Sequence, residues 1–160
     1  MKAIISISME KKDVVKRLNR VYYGMMGGAV VAAALMYYLI MKEAVRPIDP
    51  MSSAGQAIQG VVIFLAIVCI PLGLYLFKRQ CRKIRAIEDE RARMEAYWKA
   101  GRWRIVTVSF SMLTGIAGYY LLGGYQSMIW IAAIAAIAWY FTKPTERKIE
   151  LELLPDDDSY

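Results

Sequence analysis

Histidine is absent from this chain of 160 residues. Without it the chain cannot build His-ligated haem or metal sites, and it cannot use Ser-His or Cys-His catalysis. The sequence also contains no phosphate-binding P-loop, no G-x-S-x-G nucleophile elbow and no C-x-x-C motif. We therefore predict a protein that is not an enzyme, with no catalytic residues, no metal site and no cofactor.

Cysteine is scarce as well, and the two cysteines do not suggest a disulfide framework. Cys69 lies in an apolar run, whereas Cys81 lies in a strongly basic stretch. The basic stretch is expected to face a reducing compartment, where disulfides are rare.

Charge is missing from several long runs of a chain that is 58% hydrophobic. These runs approach or reach the roughly 17–25 residues that a helix needs to cross a hydrocarbon core about 30 Å thick, and they show no polar face. We predict an all-α bundle of four transmembrane helices, with spans at residues 21–41, 54–77, 105–122 and 128–141. A single long helix over residues 105–141 is the competing interpretation, but cations at both of its ends argue against it.

No ionisable residue lies in the interior of these spans. Such residues are expensive in a bilayer and usually functional, and proton-coupled carriers and voltage sensors generally need one. Their absence argues against those classes of protein.

Positive charge is confined almost entirely to one set of connecting segments. All but two of the 21 lysines and arginines lie in residues 1–20, 78–104 and 143–148, and the exceptions are Lys42 and Arg46. Cytoplasmic loops of membrane proteins carry such an excess. We predict a multi-pass protein of the cell (inner) membrane with both termini cytoplasmic, and we attribute the net charge of +7 to this topology rather than to binding of nucleic acid.

The same boundaries divide the chain into five segments. We expect the second span to continue into the cytoplasm as a helical extension that ends near Lys99 and is stopped by Gly101. Residues 145 and 148–154 could form a short amphipathic helix. The segments are a lead-in at residues 1–20, a first transmembrane hairpin at 21–77, a basic helical loop at 78–104, a second hairpin at 105–142 and an acidic-ended tail at 143–160.

Two surface features of the basic loop suggest binding. A cationic cluster directly after the second span is a candidate site for anionic lipid headgroups, although anchoring and orientation explain it more simply. A stripe of apolar residues is a candidate docking surface for a partner, unless the lead-in or the tail covers it. The cluster consists of Lys78, Arg79, Arg82, Lys83 and Arg85, and the stripe consists of Ile84, Ile87, Met94, Tyr97 and Trp98.

Small residues recur at helical spacing within the spans. Gly24 and Gly28 form a G-x-x-x-G pair, and Ala132 and Ala136 repeat the spacing in the fourth span. Small residues let a second helix approach closely, within the chain or in another molecule. Pro71 removes a backbone donor from the second span and predicts a kink.

These features favour a non-enzymatic accessory, scaffold or assembly subunit of a membrane complex. Its expected partners are anionic membrane lipids and another membrane protein or a second copy of the chain. The alternative is a small oligomeric channel or transporter whose path is lined by polar side chains of the spans. Those side chains are Gln56, Gln59, Ser109, Ser111 and Thr114.

Overall fold

The structure, a computed structural model, describes residues 2–153, with side chains from residue 11 onward. Every regular element in this range is an α-helix, so the all-helical prediction is confirmed for the described residues. The helices are α1 (Lys2–Met41), α2 (Ser53–Arg85), α3 (Glu90–Leu121), α4 (Gln126–Phe141) and α5 (Glu146–Leu153).

Two of these helices are long and apolar enough to cross a membrane. They are α1, over its stretch Lys11–Met41, and α2, over its whole length. Helices α4 and α5 meet at 82° and provide a third candidate if the bent pair is one span. By length and composition, the described residues therefore contain two helices that could cross a membrane, or up to three.

Helix α3 lies at the centre of the bundle, where it packs against α1, α2 and α4. Val108, Ser109 and Ser111 on this helix are fully buried. The second half of α3 carries four hydroxyl side chains, those of Thr107, Ser109, Ser111 and Thr114. Three of them donate to carbonyls of the same helix: Thr107 to Trp103 at 2.9 Å, Ser111 to Thr107 at 3.4 Å and Thr114 to Ser111 at 2.9 Å.

The predicted helical extension of the second span is present but much shorter than expected, and its predicted end near Lys99 is wrong. Helix α2 ends at Arg85 and α3 begins at Glu90, so Lys99 lies in α3 and not in a continuation of α2. The break has a local cause, because the Asp89 carboxylate accepts hydrogen bonds from the backbone N–H groups of Arg91 at 3.4 Å and Ala92 at 3.3 Å. A carboxylate that caps a helix start in this way also complements the helix dipole.

We expect Asp89→Ala to lower the free energy of unfolding by about 1 kcal/mol, the usual contribution of an N-cap side chain. Glu88→Ala is the matched control, because Glu88 is an exposed neighbouring acid outside the cap. Unfolding titrations of both variants in mixed micelles measure the difference. Equal losses would show that the Asp89 carboxylate does not cap α3.

Gly101 does not stop a helix, which corrects the second half of the same prediction. It lies in the interior of α3, where a Cβ atom would stand 3.2 Å from each terminal methyl carbon of Leu18 on α1. The glycine therefore permits close packing of α1 on α3 rather than termination.

The two connections at the far end of the bundle lie side by side. The backbone N–H of Ile48, between α1 and α2, donates to the carbonyl of Leu121 at 2.8 Å. Gly123 and Gly124 form the turn after α3 with φ of 64° and 86°, a conformation that side chains with a Cβ rarely adopt. Helix α4 begins at Gln126, two residues before the predicted span.

At the opposite end, residues 78–104 and α5 lie together, and we call this the basic end. The amphipathic helix predicted for the tail is confirmed as α5, within the residues described. Helix α5 packs on α1 and α2, and its Ile149 is fully buried in the main apolar core.

Candidate functional site: a buried polar centre at the basic end

Glu152 on α5 is the meeting point of three helices. Its carboxylate accepts a hydrogen bond from Arg104 Nη1 on α3 at 2.8 Å and another from the Tyr97 hydroxyl. Its backbone carbonyl accepts from Arg85 on α2, through Nε at 3.1 Å and Nη2 at 3.0 Å. One residue of the tail thus ties α5 to both α2 and α3 through charge-assisted bonds, which are stronger than neutral ones.

Arg104 is the most deeply placed cation of this centre, and only 5% of it is exposed. Its guanidinium carbon lies 3.7 Å from the centre of the Phe77 ring, a distance that permits a cation–π interaction. A buried guanidinium needs a counter-ion because burial removes it from water. Glu152 is that counter-ion, and 21% of its side chain is exposed.

The centre keeps the Tyr97 hydroxyl protonated. Burial raises the pKa of Tyr97, and the negative charge of Glu152 raises it further. The phenol is therefore a permanent hydrogen-bond donor to the carboxylate.

Lys148, one turn before Glu152, is influenced by the charges of both Arg104 and Glu152. Burial lowers the pKa of Lys148, and the nearby charge of Arg104 lowers it further. Its amine donates to the carbonyl of Phe141, the last residue of α4. The bond spans the bend between α4 and α5.

A groove of about 360 Å³ opens beside the polar centre. Its lining combines apolar side chains from the end of the second span with cations from the turns that follow. The lining residues are Leu74, Phe77, Lys78, Cys81, Arg82, Arg85, Arg104, Leu151 and Glu152.

The structure divides the five candidate headgroup residues into two groups. Lys78, Arg82 and Arg85 line this groove. Arg79 and Lys83 are exposed on α2 outside it. The sequence did not distinguish the two groups, because all five are basic and close together.

The predicted docking stripe is covered largely by the chain itself. Ile84, Met94 and Tyr97 are buried in the core that also contains Leu18 of the lead-in and Ile149 of the tail. The sequence left this alternative open. Ile87 and Trp98 remain half-buried, and the guanidinium carbon of Arg102 lies 4.7 Å from the centre of the Trp98 ring.

The small residues of the spans differ in what they contact. Ala132 lies against Gly115 of α3, where a glycine Cβ would stand 3.1 Å from the Ala132 backbone. Ala136 packs against a small cluster that includes Ala135. Gly24 and Gly28 are exposed, and no neighbouring atom of the described residues lies within 4 Å of where their Cβ atoms would stand.

Pro71 lies inside α2, and the kink predicted there stays a prediction. Together with side chains of α4 such as Ile131 and Ile134, Pro71 lines an apolar groove of about 560 Å³.

Sequence reasoning missed Arg104 and Glu152 as partners, although the chain carries a signal for Glu152. The acid lies three residues after Ile149, on the same face of a short amphipathic helix. A carboxylate on a buried face requires a cationic partner. The identity of that partner, 48 positions earlier in the chain, could not be read from spacing.

Among the described residues, no three acidic, cysteine or histidine side chains cluster to hold a metal ion. Comparison of the chain with protein-family models, curated proteins and solved structures gives no significant match.

Proposed function

We propose that this protein is a four-span membrane protein with both termini cytoplasmic, acting as a non-enzymatic accessory or assembly subunit of a membrane complex. The uncharged stretch of residues 105–142 supports the third and fourth crossings. The bond between Ile48 and Leu121 supports placing both short connections on one side, opposite the basic end. The concentration of lysine and arginine at the basic end supports its cytoplasmic location.

The observation that carries this proposal is the outward face of α1. Gly24, Gly28 and Val31 follow at helical spacing on one face, and Val31 is 66% exposed. The opposite face of α1 holds Tyr22 and Ala29, which are buried against the bundle. Within the described residues, the glycine face is therefore the side of α1 without a neighbouring helix.

A helix of another membrane protein fits this face. Association of helices in lipid depends on close packing and not on burial from water, so it favours faces made of small residues. Gly24 and Gly28 would let the backbone of a partner helix approach α1 directly. The proposal therefore places partner binding on the first span and not on the stripe of the basic loop, most of which the chain covers.

The proposal predicts that α1 binds its partner through these glycines. We expect the double substitution Gly24→Ile and Gly28→Ile to weaken association at least about tenfold, since overpacking a close interface costs about 1–3 kcal/mol. The measurement is the molar ratio of a defined partner that copurifies in mild detergent and crosslinks to α1.

Gly60→Ile is the matched control, because Gly60 on α2 is also exposed and has no described neighbour within 4 Å. It should retain the partner. A wild-type chain that purifies as a lone monomer would contradict the proposal, and a crosslink between two identical chains would replace the accessory role with a homo-oligomer.

The contacts of the polar side chains lend no support to the alternative of a channel or transporter. The amides of Gln56 and Gln59 donate to the backbone carbonyls of Met51 at 3.1 Å and Pro50 at 2.9 Å. Ser111 is fully buried. Ion or solute flux through liposomes that contain the purified protein would support a channel or transporter instead.

A further inference from the structure

The glycine face of α1 continues toward the basic end as a row of cations. Four exposed residues at intervals of four form one ridge along this helix: Lys16, Arg20, Gly24 and Gly28. Arg20 directly precedes the apolar span and lies one turn, about 6 Å, from Gly24. A helix that packs on the two glycines and continues toward the basic end therefore passes Arg20 and then Lys16.

The described part of the chain does not compensate the charge of this ridge. No ion pair among the described residues involves Lys16 or Arg20. Asp13, an acid on the same helix, lines the groove between α1 and α3 together with Arg91. The ridge therefore presents two positive charges to whatever lies against it.

A second copy of the chain is a poor partner for this ridge. Copies in one membrane share the same orientation, so two α1 helices that met through Gly24 and Gly28 would run parallel. Their Lys16 and Arg20 side chains would then lie at the same level on adjacent helices. Like charges placed together in an interface oppose association.

We propose that the partner of α1 is a different membrane helix that carries acidic side chains just outside its apolar span, on the cytoplasmic side. These carboxylates pair with Arg20 and Lys16, while the helix itself packs on Gly24 and Gly28. The inference rests on the proposed accessory role and adds the charge of the partner to it. Charge complementarity gives specificity here, because it favours the acidic helix and disfavours a second copy of the chain.

Three synthetic transmembrane peptides test the charge of the partner. Each has a leucine- and alanine-rich span with one G-x-x-x-G pair, and they differ only in two residues, four apart, just outside the span. These two residues are glutamate, glutamine or lysine. Energy transfer between the labelled protein and each labelled peptide measures their association in vesicles of phosphatidylcholine, which supplies no net charge.

We expect the glutamate peptide to bind at least about tenfold more tightly than the glutamine peptide, because close interfacial charge pairs contribute at least that factor. The lysine peptide should bind more weakly than either. A glutamate peptide that binds no better than the glutamine peptide would overturn the inference.

The chain offers a matched pair of charge reversals. The ridge variant Lys16→Glu/Arg20→Glu and the control variant Arg79→Glu/Lys83→Glu each reverse one lysine and one arginine, four residues apart, beside an apolar span. All four side chains are exposed, so both variants should fold, and thermal unfolding verifies this. We expect the ridge variant to prefer the lysine peptide and the control variant to keep the preference for glutamate. The same reversal of preference in both variants would overturn the inference, since it would then reflect only the total charge of the basic end.

The glycine variant separates this inference from the proposed function. Equal binding of the three peptides, lost in Gly24→Ile/Gly28→Ile, would overturn the charge of the partner and leave the glycine face as the partner site. Energy transfer between differently labelled wild-type chains, lost in the same variant, would also overturn the inference, because it would make a second copy the partner.

Discussion

Replacement of Glu152 by glutamine is expected to lower the free energy of unfolding by about 3–5 kcal/mol, because it leaves the guanidinium of Arg104 buried without a counter-ion. Arg104 is 5% exposed and cannot turn to water without leaving the core. The same substitution converts a charged acceptor of the Tyr97 hydroxyl into a neutral one. Unfolding titrations in mixed micelles measure the loss.

The tail supplies a matched control in Glu150, two residues earlier on α5. Its carboxylate pairs with Lys11 of α1 at 3.3 Å, but 57% of the Glu150 side chain is exposed. Exposed ion pairs contribute about 0–1 kcal/mol, so Glu150→Gln should lower the free energy of unfolding by no more than that. If the two substitutions cost the same, burial would not determine the strength of the pair.

A triple variant separates the pair from general damage to α5. Replacing Arg104 and Glu152 by leucine and Tyr97 by phenylalanine removes both charges together with the hydroxyl that donates to Glu152, and leaves apolar groups of similar volume. Such exchanges are often neutral or stabilising. We expect the triple variant to recover most of the stability that Glu152→Gln loses, whereas a loss as large as that of Glu152→Gln would mean that the polar bonds themselves hold α5 in place.

The second large effect is expected at Gly115, where α3 lies close to the backbone of Ala132 on α4. A Cβ atom at Gly115 would stand 3.1 Å from both the Cα and the backbone nitrogen of Ala132. Because a backbone cannot move aside as a side chain can, Gly115→Ala should destabilise the chain by about 1–3 kcal/mol. The measurement is again unfolding in mixed micelles.

Two other glycines, with more space around an added Cβ, serve as comparisons for this prediction. At Gly118 the neighbours of an added Cβ are the Val62 and Met128 side chains, at 3.2 Å and 3.3 Å, and side chains can shift. Gly118→Ala should therefore cost less than about 1.5 kcal/mol. Gly60→Ala, with open space around it, should cost nothing measurable, and a loss there equal to that at Gly115 would contradict the explanation by close approach.

Local sequence signals were sufficient to predict most of the helices, but they did not predict the boundary between α2 and α3. The uncharged runs and the amphipathic tail predicted the helices that the structure shows, because both patterns depend only on neighbouring residues. The break between α2 and α3 was missed because the acidic run at residues 88–90 resembles a solvated helix face. Only the bonds from Arg91 and Ala92 to Asp89 reveal a helix start there.

Sequence reasoning identified only part of the candidate site. The cations that line the groove were found because clusters of lysine and arginine beside an apolar span are recognisable from composition. The sequence could not show which of these cations line the groove. Lys78, Arg82 and Arg85 do so and Arg79 and Lys83 do not, and this difference depends on which side of α2 faces α5.

The sequence by itself determined that this protein is helical, that long uncharged runs alternate with basic segments, and that nothing in it resembles a set of catalytic residues. These properties follow from composition and from periodicity along one helix at a time. Only the tertiary structure decided that α3 lies at the centre, that Arg104 pairs with Glu152, and that no described part of the chain lies against the glycine face of α1. The physical reason is that such contacts join residues far apart in the chain, and their partners are chosen by how the helices pack and not by the spacing within any one of them.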